Sequence, residues 1–174
     1  SSTCQVEAFD RAIEAGHGVL SLPCGYGKTT VALAIACKLR YRTMIIVHKS
    51  FLADQWRERI KQFVPEATIG IVQQDKKETE CDFVIAMLQS LSLKEYGFGD
   101  FESFGTVIVD EAHHICAKVF SQSLFKTRLF FICNDNSTSL RHHTRCITRN
   151  RPGARVNASI LNSEPIAPSI QKPK

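Results

Sequence analysis

Apolar positions along the chain switch repeatedly between two periods, and the switching predicts strands interleaved with helices. In residues 4–15, Val6, Phe9, Ala12 and Ile13 recur at helical spacing, and Gly16 and Gly18 supply a stop. Residues 18–22 form a short apolar run closed by Pro23, which predicts a buried strand. Residues 28–39, rich in Ala and Leu, predict a helix. Residues 43–47 predict the next strand, and residues 51–63 a helix with Leu52, Trp56, Ile60 and Phe63 on one face. Two further strands fall at residues 68–72 and 83–86, separated by a charged, exposed connection over 73–82 and followed by a short helix at 87–93. Residues 106–109 are apolar throughout and run straight into Asp110. A helix over 116–126 and a strand over 129–132 complete the pattern. Strands that are apolar on both faces and separated by helices predict an α/β domain: a mostly parallel sheet of about five to seven strands with helices on both faces.

Composition divides the chain. At 174 residues with 44% hydrophobic positions there is material for one full core. The net charge of +5 suggests nucleic acid until its location is examined. Residues 1–133 carry 15 Lys+Arg and 15 Asp+Glu, whereas residues 134–174 carry seven basic and two acidic residues and hold the whole excess. Those last residues contain no aromatics and four of the six prolines, which predicts a disordered or aberrant tail behind a domain at 1–133. The seven cysteines are odd in number and scattered, with no CxxC pair, as expected of buried thiols in a reducing compartment. No apolar run approaches the roughly 18 residues of a membrane span. The chain therefore reads as intracellular, nuclear or cytoplasmic, with no membrane partner.

Two motifs carry chemistry. Gly25-Tyr-Gly-Lys-Thr29 lies between a predicted strand and a predicted helix, the setting that a phosphate-binding loop needs. Around it, Pro23, Cys24, Gly25, Tyr26 and Gly27 form the loop. The glycines let backbone N–H groups approach phosphate oxygens, Lys28 can reach the β- and γ-phosphates, and the Thr29 hydroxyl can serve magnesium, with Thr30 next in the first turn. Leu22 stands where the strict pattern has a glycine. Asp110 and Glu111 follow an apolar strand, at the end where open parallel sheets bind ligands. The first carboxylate can hold hydrated magnesium and the second can take a proton from the attacking water. Each motif alone also fits an ordinary helix start.

Gly25-Tyr-Gly-Lys-Thr29 together with Asp110-Glu-Ala-His113 resembles motifs I and II of superfamily 2 helicases and translocases, and the doubled His113-His114 is similar to the DEAH-type DNA helicases of transcription/repair factors and large DNA viruses. The resemblance covers residues 4–126 and implies a RecA-like ATP-binding domain using ATP and Mg2+ with a nucleic-acid partner, DNA rather than RNA. Lys28, Asp110 and Glu111 are the residues it implies for catalysis. It also implies that Gln5 meets adenine, that Lys49, Ser50 and Gln55 in the run 47–56 and Gln89 and Ser90 in 86–90 contact nucleic acid, and that His113 couples the two sites. On spacing alone, Trp56 fits a core position better than a base-stacking platform, and Lys49 and Ser50 equally fit a helix cap.

After residue 126 the resemblance ends. Leu129-Phe-Phe-Ile-Cys-Asn-Asp-Asn-Ser-Thr-Ser139 imitates the family's Thr-Ala-Thr-Pro motif poorly, and nothing in 149–155 reproduces its arginine finger. The resemblance therefore implies a second RecA-like domain missing from this chain. Such an arginine is worth about 10³–10⁵ in rate, so the expectation is nucleotide binding with little turnover. The alternative is a nucleotide-dependent nucleic-acid-binding module with negligible ATPase activity. A small-substrate P-loop enzyme fits the 47–56 and 86–90 segments less well.

Overall fold

The structure, a computed structural model, describes residues 3–16, 18–21, 27–93, 101, 103–111 and 128–133. Along the chain run α1 (Thr3–Ala15), β1 (Gly18–Ser21), α2 (Lys28–Leu39), β2 (Thr43–Val47), α3 (Ser50–Phe63), β3 (Ile69–Gln73), β4 (Lys76–Lys77), β5 (Phe83–Met87), α4 (Leu88–Leu93), β6 (Thr106–Asp110) and β7 (Arg128–Cys133). The helix expected over 116–126, the tail at 134–174, and Pro23, Cys24, Gly25, Tyr26 and His113 lie outside the described residues.

The strands form one sheet in the order β1-β7-β6-β2-β5-β3-β4. Every pairing is parallel except that of β3 with β4. Parallel neighbours need crossovers, and α2, α3 and α4 supply them. Within β2, β5 and β6 the side chains alternate between two cores. Ile45, Val47, Ile85 and Ile108 face one side, where Leu33 and Ile35 of α2 and Trp56 and Ile60 of α3 cover them. Met44, Ile46, Val84 and Val109 face the other side, where Leu88 and Leu91 of α4 and the loop residues Phe101 and Phe104 close over them. Burial on both faces explains why these strands read as continuous apolar runs; each such side chain contributes about 1.5–3 kcal/mol.

The connection over 73–82 departs from expectation by carrying strand β4. Gln74 turns the chain with φ 51°, and Val72 and Gln73 pair antiparallel with Lys77 and Lys76. Two exposed lysines at a sheet edge leave no apolar alternation to announce a strand. Gly70 makes the return possible: a Cβ there would overlap the Glu78 carbonyl oxygen and lie 3.0 Å from Cys81 Sγ. Arg42 ties the segment down by donating to the carbonyls of Thr79 and Cys81.

Candidate active site

Strand β7 lies between β1 and β6, so the carboxyl ends of β1 and β6 stand two strand spacings apart, about 10 Å. Helix α2 begins close beyond β1. Its N-cap is Gly27, in the left-handed region at φ 68°, ψ 36°. Glycine tolerates that conformation where an L side chain is strained. A Cβ on Gly27 would sit 2.9 Å from Gln5 Nε2, so Gln5 of α1 lies against the last loop residue.

Lys28 is the first residue of α2 and is only 9% exposed. A lysine is rarely so buried unless an anion compensates it. Thr29 and Thr30 follow in the first turn, both partly exposed. Across the gap, Asp110 ends β6 half-buried, and its Oδ2 accepts the Trp56 Nε1–H at 2.8 Å. Burial pushes the Asp110 carboxyl above the usual carboxylate range. The Trp56 hydrogen bond pulls it down, the Glu111 charge pushes it up, and the Glu111 backbone N–H and the Lys28 charge pull it down again. Glu111 has φ 53°, a left-handed conformation that costs a non-glycine residue about 1–3 kcal/mol and turns the chain directly after the strand.

These groups suit a magnesium–triphosphate. An ammonium and the N–H groups of a helix's first turn suit phosphate oxygens, while a hydroxyl and a desolvated carboxylate are the hard oxygen donors that magnesium takes. The structure thus brings Gln5, Gly27, Lys28, Thr29 and Thr30 to one side of the crevice and Asp110 and Glu111 to the other.

The residues expected at nucleic acid lie elsewhere. Lys49 is the N-cap of α3; its carbonyl accepts the N–H groups of Leu52 and Ala53, and its side chain makes no cap bond. Its ammonium lies 5.8 Å from the centroid of Phe51, which is 53% exposed. Ser50, Gln55 and Gln89 are exposed. Ser90 is turned inward, and its Oγ accepts the Gln74 N–H at 2.9 Å. The residue that the motifs did not announce as part of the site is Trp56. Its burial was legible from helical spacing, and a buried indole N–H requires an acceptor, but the identity of that acceptor depends on which strand lies beside α3.

The sequence family described as "Type III restriction enzyme, res subunit" matches residues 2–138. The chain belongs to that family. This res-subunit-type chain is a helicase-family ATP-binding domain with a RecA-like fold. It is 45% identical over 108 residues to the "Putative ATP-dependent RNA helicase" of Acanthamoeba polyphaga mimivirus, covering 62% of this chain and 21% of that protein. It is 34% identical over 124 residues to the DNA 3'-5' helicase XPB of Kineococcus radiotolerans, covering 67% of this chain and 22% of that one. The helicase domain of Pyrococcus furiosus Hef superposes with a TM-score of 0.65 at 15% identity, over 84% of this chain and 36% of that chain. The res-subunit-type chain thus spans about a fifth of the length of these two curated relatives. Among its described residues, no helix is long and apolar enough to cross a membrane.

Proposed function

We propose that this chain binds ATP with magnesium as the nucleotide-holding half of an intracellular nucleic-acid motor, DNA being its preferred strand. The observation that carries the reading is buried Lys28 opening α2 opposite the half-buried Asp110 carboxylate. Lys28 holds the β- and γ-phosphates. The Thr29 hydroxyl and Asp110 hold the metal, and Glu111 accepts the proton of the attacking water. Bound magnesium supplies charge neutralisation on the phosphate oxygens. Gln5, against Gly27, meets the adenine edge. Exposed Lys49, Ser50, Gln55 and Gln89 offer donors to a phosphate backbone, and His113 links strand binding to nucleotide state. Strand movement requires a second RecA-like domain that closes on ATP and brings a transition-state arginine.

The test is magnesium-dependent ATP binding and hydrolysis, with and without single-stranded DNA, duplex DNA and RNA, beside Lys28→Ala. Binding lost in the variant is expected. Equal affinity in the two proteins would refute the assignment of Lys28.

A further inference from the structure

Trp56 is 1% exposed, so its ring is held by packing and its N–H points along a fixed vector. That N–H ends on Asp110 Oδ2, at 2.8 Å and across 54 positions of sequence. An indole N–H is a donor only, so it cannot exchange roles with the carboxylate it holds. One carboxylate oxygen is thereby held from the core side. The same helix begins at exposed Ser50 and Phe51, six and five residues before Trp56, a rise of roughly 7–9 Å.

We propose that Trp56 is a positioning residue for the magnesium carboxylate: it fixes Oδ2 of Asp110, presents Oδ1 to the hydrated cation, and makes helix α3 part of the metal site's framework. This rests on Asp110 being the magnesium carboxylate, as proposed above. Partners that orient a metal ligand from behind typically matter about 10–100-fold in metal affinity. Freed from the indole, the Asp110 carboxyl can rotate about its side-chain torsions, and the ordering that Trp56 supplied in advance must be met on binding.

Trp56→Phe keeps an aromatic ring in the core and removes the N–H. The experiment measures a directly excited fluorescent ATP analogue binding to wild type and variant, in magnesium and in EDTA. Magnesium should strengthen binding about 10-fold less in the variant than in wild type, while EDTA affinities agree. An equal magnesium effect in both overturns the inference, as does an equal loss in magnesium and EDTA. If wild type itself shows no magnesium effect, the nucleotide-site reading falls and this inference with it. A second readout needs no variant, because Trp56 is the chain's one tryptophan. Its emission should change when magnesium and unlabelled ATP are added together. Unchanged emission at saturating Mg–ATP overturns the inference.

Discussion

Alanine at position 27 tests the geometry of the phosphate loop's last residue. Gly27 caps α2 at φ 68°, where an L side chain costs about 1–2 kcal/mol. Alanine recovers about 0.4–1 kcal/mol by reducing the freedom of the unfolded chain. The new Cβ also meets Gln5 Nε2 at 2.9 Å, but that atom is the end of a flexible side chain and can swing clear. Gly27→Ala should therefore lower stability by about 1 kcal/mol, or about 2–4 °C in melting temperature for a chain of this size. Thermal unfolding of wild type, Gly27→Ala, Gln5→Ala and the double variant separates the contributions. The loss should persist in the Gln5→Ala background, with coupling below about 0.5 kcal/mol. ATP affinity should fall in Gly27→Ala, because the backbone can no longer approach the phosphates as closely. An unchanged melting temperature would refute the left-handed cap. A loss that vanishes without Gln5 would show that the contact, and not the backbone, carries the cost.

Two further outcomes are expected. Gly70→Ala places a Cβ against backbone that cannot yield, so urea unfolding should show about 1–3 kcal/mol of destabilisation; an unaltered midpoint contradicts the close return of residues 78–81 beneath β3. Asp82 Oδ2 accepts both the N–H and the hydroxyl of Thr68, at 2.8 and 2.7 Å. Those bonds, the backbone one foremost, hold its carboxyl below the usual carboxylate range. A lowered folded-state value means stability that is present above the unfolded carboxyl's pKa and is lost as pH falls from about 4 through the folded value. Asp82→Asn should therefore show a flatter decline of stability below about pH 4. Superimposable acid profiles would contradict it.

The helices and parallel strands were legible because burial on each face writes itself into runs such as Met44-Ile-Ile-Val47 and Val107-Ile-Val109. What was not legible required neighbours from distant sequence. Strand β4 consists of two solvent-facing lysines, and only the turn at Gln74 and the bare Cα of Gly70 allow it to pair. Gln5 could be assigned only through resemblance, and its contact with Gly27 arises because α1 packs on α2. Resemblance implied a nucleic-acid contact for Ser90, yet the Gln74 N–H uses its hydroxyl inside the fold. Trp56 carried the signal for burial and none for its acceptor, since that depends on β6 lying beside β2 in the sheet order.

That sheet order also bears on how the site comes into being. Lys28, Thr29, Asp110 and Glu111 all precede residue 112, but the strand that separates β1 from β6 is β7, at Arg128–Cys133. A growing chain has thus made all four side chains proposed for the nucleotide before it has made the spacer between them. β1 pairs with β7 across more than 100 positions, a long loop to close and a contact of the slow-forming kind. The crevice reaches its working width only when β7 docks, so competence to hold nucleotide should arise late and all at once.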